Sequence, residues 1–282
     1  MKKIVLPVIV AGSVLLLASC GESTPKEEQN NTTDSVTAAP PPVAIASVTP
    51  SPEFPNASLA VSAKGEKVGK DSAKVVFAFD VKNYELKMQT ADNGTKLCNN
   101  SAQGQHIHFI LDNQPYKALY EPKNEVTLAN NTEHYLMAFL SRSYHESVKS
   151  KGAAVVYHFK IDEKGNLKKM DEPKTPMLFY SRPKGDYIGK DTTNLLLDYY
   201  VWNCQLGADS FKVKAEIANE SKPTQTHTAT LDKWEPKFIQ NLGSGKCKVT
   251  LTLIDKTGKE VDGPLTTVSR NFNTLVQEPI KQ

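Results

Sequence analysis

An excess of charge of one sign is missing from this chain. Its 282 residues hold 34 basic and 31 acidic side chains, a formal net charge of +3. Lys2 and Lys3 supply two of those positive charges, so the remainder stands at +1. So even a balance argues against nucleic acid as a partner, which needs a basic face to displace counterions from phosphates. Cysteine is also scarce, with four residues and no C-x-x-C pair. H-E-x-x-H is absent as well, so neither strong zinc signature is present. There is no Walker loop, dinucleotide glycine pattern or G-x-S-x-G nucleophile elbow. Only one long apolar run occurs, which excludes a polytopic membrane protein. A hydrophobic share of 39% is still enough for a packed core.

That one apolar run stands at the N-terminus. Residues 1–19 combine Lys2 and Lys3 with apolar residues from Ile4 to Leu17, the anatomy of a secretory signal. Leu17-Ala18-Ser19-Cys20 resembles the lipobox of bacterial lipoproteins. The resemblance implies cleavage before Cys20 and acylation of that cysteine, giving enough acyl chains for stable anchoring. Gly21 after the cysteine is compatible with outer-membrane delivery in the bacterial cell envelope. Lys26-Glu27-Glu28 is similar to a short surface-export signal. Residues 21–56 hold seven of the 17 prolines among Ser, Thr, Asn and Ala. That composition predicts a disordered, semi-extended spacer beginning at the lipidated Cys20 and ending at residue 56.

The rest of the chain repeats itself. KGEKVGKD at 64–71 matches KGDYIGKD at 184–191 with an offset of 120 residues. The match runs on, with KVVFAFDVKNYEL (74–86) over NLLLDYYVWNCQL (194–206), pairing Asn83 with Asn203. HIHFILDN (106–113) then lies over KVKAEIAN (212–219), which leaves about 14 extra residues near TADNGTKLCNNSAQ in the first copy. Val75, Phe77, Phe79 and Val81 alternate with Lys74, Asp80 and Lys82. Val249, Leu251 and Leu253 alternate with Lys248, Thr250 and Thr252. A period of two means half-buried strands. The expected fold is all-β, two tandem Ig-like antiparallel β-sandwiches. The first spans 57–162 and the second 177–276, with a linker at 163–176 and a tail at 277–282. Aromatics at Tyr199, Tyr200, Trp202 and Trp234 are assigned to core packing.

Histidine is concentrated in the first copy. Five of the six histidines fall between His106 and His158. The second copy has Lys212 and Lys214 where the first has His106 and His108, so the scaffold itself does not demand imidazoles there. On a strand, His-x-His places both rings on one face, about 6.5–7 Å apart. Ile107, Phe109 and Leu111 should face the core, turning the histidines outward or into a groove between the domains. Two such imidazoles suit one Zn or Cu ion. A third ligand is expected from His145, Glu146 or His134. Replacing His106 and His108 with Ala is expected to cost little stability, because the second copy folds with lysines.

SRSYHESVK (141–149) supports a different chemistry. Ser141, Arg142, Ser143, His145 and Lys149, with Arg182, are the types that hold a phosphate or carboxylate. A solvated basic turn accounts for the same residues. Cys204 and Cys247 are the candidate disulfide, with three free thiols as the alternative.

GQHIHFILDNQPYKALYEP (104–122) and TEHYLMAFLSRSYHESVKSKGA (132–153) resemble a set of bacterial lipoproteins of Bacteroidetes type. YSRPKGDYIGKD and LDKWEPKFIQNL in the second half extend the resemblance over roughly residues 59–275. It implies no established activity, although some members carry a phosphopeptide-binding label. The expected function is a lipid-anchored cell-envelope binding protein, not an enzyme, with its site in the first repeat and a protein or small molecule as ligand. A metal-dependent enzyme built on His106, His108 and His145, with Glu146 as base, and a phosphopeptide binder are the alternatives.

Overall fold

Alternating side chains become strands where one face can be buried. The computed structural model describes residues 39–277. The signal segment, Cys20, residues 21–38 of the spacer and residues 278–282 lie outside the described residues. Strand β1 (Ala44–Ser47) comes first. The first copy contributes β2 (Ser58–Val68), β3 (Ser72–Lys82), β4 (His106–Leu111), β5 (Lys117–Leu119), β6 (Lys123–Ala129), β7 (Thr132–Ser141), β8 (Ala154–Ile161) and β9 (Leu167–Lys169). The second contributes β10 (Met177–Arg182), β11 (Gly185–Ile188), β12 (Leu195–Trp202), β13 (Lys212–Asn219), β14 (Thr226–Leu231), β15 (Lys237–Gln240), β16 (Gly245–Ile254) and β17 (Thr267–Leu275). Among the described residues there is no α-helix.

These strands make two Ig-like sandwiches that share the arrangement of seven strands and differ at one edge. In the first, the sheet β2-β3-β6 covers β5-β4-β7-β8-β9. In the second, β10-β12-β15, with β1 added at its edge, covers β14-β13-β16-β17-β11. The matched residues explain themselves locally. Asn83 and Asn203 leave β3 and β12 with φ of 55° in both copies, a left-handed geometry that asparagine tolerates better than most residues. The KG-x-x-x-GKD segments diverge, however. Gly65 stays in β2 opposite Val75, whereas Gly185 begins β11, which runs parallel to β17. In the first copy the corresponding edge is taken by β9 beside β8.

The sandwiches are docked face to face. β12 alternates Leu195, Leu197, Tyr199 and Val201 into its own core and turns Tyr200 and Trp202 outward. β10 likewise buries Leu178 and Tyr180 on one side and Met177 and Phe179 on the other. Those outward residues meet Ile110 of β4, Met137 and Phe139 of β7 and Val156 of β8 in a third apolar cluster. A four-layer stack with three cores results. It explains why LLLDYYVW reads as a nearly unbroken apolar run, since both of its faces are covered.

Two expected boundaries move. Residues 43–56 belong to the folded body, not to a spacer. Val43 is buried in the second core, β1 pairs with β15, and the Lys96 ammonium donates to the carbonyls of Thr49 (2.6 Å) and Pro50 (2.8 Å). Proline composition predicted a disordered, semi-extended spacer, but an extended segment is also what a sheet edge accepts, and Ala44–Ser47 is taken up as such a strand. The 163–176 linker contains β9. The expected Cys204–Cys247 disulfide is absent, and Cys98, Cys204 and Cys247 are free thiols. Cys247 lies opposite Asn219 at one end of β13. Cys204 precedes the Leu206–Phe211 bridge at the other end of that strand, about 23 Å away along seven residues of strand.

The 14-residue insertion of the first copy is a strut. Its Asn99 amide donates to Asp191 at 2.7 Å, and the Leu97 carbonyl accepts from Asn194 at 3.2 Å. Beside these contacts lies a cleft of about 580 Å³ lined by Leu97, Cys98, Lys190 and Asp191.

Candidate metal centre

β4 turns His106 and His108 away from the core that receives Ile107 and Phe109. That outward face is the docked one, so both histidines have 0% exposure. The third imidazole comes from the turn after β7. There the Arg142 carbonyl accepts from the His145 amide at 2.9 Å, and the Glu146 carbonyl accepts from the Arg142 amide at 2.9 Å. His145 closes this turn with φ of 69°. A left-handed conformation is uncommon for a residue with a side chain and tends to occur where surrounding structure holds it for a purpose. Here it aims the ring at β4.

Three ring nitrogens converge. His106 Nε2 lies 3.0 Å from His108 Nε2 and 3.1 Å from His145 Nδ1. All three ligand atoms fall within 4.8 Å of one another. Nitrogens around one tetrahedral zinc sit about 3.2–3.5 Å apart, given bonds of about 2.0–2.1 Å. The far sides of the rings are occupied too. His106 Nδ1 donates to the Gly104 carbonyl at 2.8 Å, and His108 Nδ1 meets the Ser181 hydroxyl at 3.1 Å. A carbonyl only accepts, so His106 carries its proton on Nδ1 and presents a lone pair from Nε2. The Tyr116 hydroxyl lies 3.1 Å from His145 Nδ1, and its ring stacks on His108 with centroids 3.6 Å apart and planes at 9°. Tyr120 and Phe139 pack against His106 and His108 from other sides.

The charges around the centre are positive. Burial, reinforced by Arg182 and Lys184, lowers the His106 pKa to about 4. Burial first, then the neighbouring imidazoles, Arg182 and Lys184, holds His108 well below the ordinary histidine value. His145 is lowered in the same way, by burial and then Arg182. All three are therefore neutral at pH 7 and have lone pairs to offer.

The other expected ligands are elsewhere. His134 sits near the opposite end of β7, with Nδ1 2.6 Å from Asp112 Oδ2 and Nε2 2.7 Å from the Thr132 hydroxyl. Glu146 follows His145 but points the other way in the turn. It pairs with Arg142 at 3.1 Å and accepts from the Ser51 hydroxyl at 2.7 Å.

The expected anion site is likewise a structural clamp. Arg142 is buried and donates to the carbonyls of Pro52 (3.1 Å) and Ser147 (3.0 Å). Ser143 exchanges hydrogen bonds with Thr90, and the Ser141 hydroxyl faces the Arg142 carbonyl at 3.3 Å. Lys149 and the Ser147 hydroxyl both reach the fully buried Asp198 of β12 at 2.8 Å. Arg182 donates to the Tyr187 hydroxyl at 2.8 Å. The segment thus fastens one sandwich to the other, and its cations are already paired.

Tyr116, Ser181 and Lys184 were not legible as site residues. Ser181 sits at a register shift between β10 and β12, and such a bulge re-aims a side chain in a way sequence does not announce.

No family profile matches this chain, and no curated protein does. Among solved structures, the fibronectin(III)-like modules of Clostridium thermocellum CbhA align with 79% of this chain and 97% of theirs, at 9% identity and a TM-score of 0.26. The two tandem V-type regions of VCBP3, a v-region-containing chitin binding protein, align with 78% and 100%, at 9% identity and a TM-score of 0.23. The Yersinia pseudotuberculosis adhesin InvE aligns with 78% of this chain and 60% of its own, at 11% identity and a TM-score of 0.19. With superpositions this poor, the Ig-like assignment rests on the strand order and cores of the chain itself.

Proposed function

We propose that this chain is a metal-binding protein of the bacterial cell envelope, anchored by a lipid on Cys20, whose centre is His106, His108 and His145. The observation that carries the reading is the convergence of three buried, neutral imidazole nitrogens, two of which have their remote nitrogens oriented by Gly104 and Ser181. Zn and Cu are among the ions that imidazole donors suit. Binding is favoured over hydrolysis because Glu146, the base considered for an enzyme, is held by Arg142 and Ser51 away from the imidazoles. The phosphopeptide reading loses its support because Arg142 and Lys149 are already paired inside the protein.

Metal analysis of untagged protein tests this reading. After loading and desalting, the chain should hold one ion, and His145→Asn should lose it. Asparagine tolerates the left-handed turn, so that variant removes the ligand and keeps the backbone. Wild-type protein that holds no ion, or a His145→Asn variant that holds as much as wild type, would refute the centre.

The anchor is tested separately. Cys20→Ser should move the protein from the membrane to the soluble fraction, because each buried acyl methylene contributes about 0.8 kcal/mol. Retention of the Ser variant on membranes through a high-salt wash would refute lipidation as the anchor.

A further inference from the structure

We propose that the three-histidine centre is built for a monovalent soft cation, Cu(I), and discriminates against divalent ions such as Zn(II). This rests on the metal-binding reading above and adds the charge of the ion. The three ligand atoms are neutral, and among the described residues no carboxylate or thiolate joins them. The nearest acid in sequence, Glu146, is engaged by Arg142.

Cations are close by contrast. Tyr116, stacked 3.6 Å from His108, has the Lys184 ammonium 4.1 Å from its ring centroid and the Arg182 guanidinium carbon 5.6 Å from it. Lys184 is tied there by a 2.7 Å bond to the Tyr116 carbonyl. Arg182 is 7% exposed, and its Nε has no partner. Both cations thus lie against the one ring that stacks on His108 and whose hydroxyl reaches His145 Nδ1 at 3.1 Å.

An ion bound by neutral donors keeps its full charge. Repulsion from each neighbouring cation scales with that charge and is strong where water is excluded. A divalent ion therefore suffers twice the penalty of a monovalent one at the same place. Coordination number points the same way. Zinc takes four ligands, with an open fourth position in sites that have only three from protein. Here Tyr116, Tyr120 and Phe139 close around the rings. Imidazole donors suit copper, and a monovalent copper ion needs less balancing negative charge than a divalent zinc ion.

The test compares two ions and one charge. Metal-free wild type and Lys184→Gln are titrated at pH 7 with Cu(I), without oxygen, and with Zn(II), each against a coloured chelator. His145→Asn serves as the blank for binding to the three free thiols. Wild type should take up one His145-dependent Cu(I) and hold Zn(II) far more weakly. Lys184→Gln should tighten Zn(II) by the square of the factor for Cu(I), about tenfold against about threefold. Lys184→Met gives the same comparison if the Gln variant does not fold. Equal factors for the two ions would overturn the proposal. So would Zn(II) held as tightly as Cu(I), for instance with tyrosinate absorbance showing that Tyr116 supplies the missing negative charge. If neither ion binds in a His145-dependent way, the centre itself fails, and with it this inference.

Discussion

Metal-free protein should lose stability as pH falls from about 6.5 to about 4. The sign follows from burial. An unfolded histidine takes up its proton near 6.5, whereas His106 in the folded chain does so only at about 4. Above 6.5 neither state holds the proton and the interface has its full stability. Below it the unfolded chain binds protons that the native chain refuses, so unfolding is favoured progressively until the native value is reached. For His106 alone the gap corresponds to about 3 kcal/mol. His108 and His145 are lowered for the same reason, burial, and act in the same direction. Glu146 opposes them, because burial raises its pKa and protonation then favours the folded state. Urea midpoints at closely spaced pH values between 7.5 and 4 would measure the slope. A midpoint that stays level across this range would mean that the three rings accept protons freely in the folded chain, and that the sandwiches do not seal them.

His108→Ala should be among the most damaging single substitutions in the metal-free protein. The ring is fully buried, stacked on Tyr116, 5.0 Å from Phe139 by centroids, and bonded to Ser181 across the interface. Ring-to-alanine changes in packed interiors cost about 3–5 kcal/mol, depending on how far the surroundings collapse. The sequence comparison pointed the other way, since Lys214 fills the matching position of the second copy. Lys214, however, is half-exposed and paired with Glu216 at 3.4 Å, so its tolerance says nothing about a site covered by another domain. Chemical denaturation of the apo variant settles the matter. A loss below about 1 kcal/mol would show that the pocket closes without the ring.

The strands, their inward faces and the duplication were legible in the residues alone. Period-two alternation assigned Val75, Phe77 and Phe79 to one core and Val249, Leu251 and Leu253 to the other, and all six are buried there. It also placed His106 and His108 on the face opposite Ile107 and Phe109, and the contrast with Lys212 and Lys214 marked the first copy as different. Local pattern can say this much because a strand's alternation is set by its own backbone.

What covers the outward face is fixed by long-range packing. Whether His106 and His108 meet water or protein depends on β10 and β12, strands from a copy more than sixty residues further along the chain. The choice of His145 over His134 and Glu146 depends on one left-handed turn. The reach of Ser181 to His108 depends on a bulge. Residues 44–47 join the second sandwich although they precede the first. Each of these is a long-range contact between surfaces that every strand already leaves available, and a periodic pattern carries no information about which of those surfaces will meet.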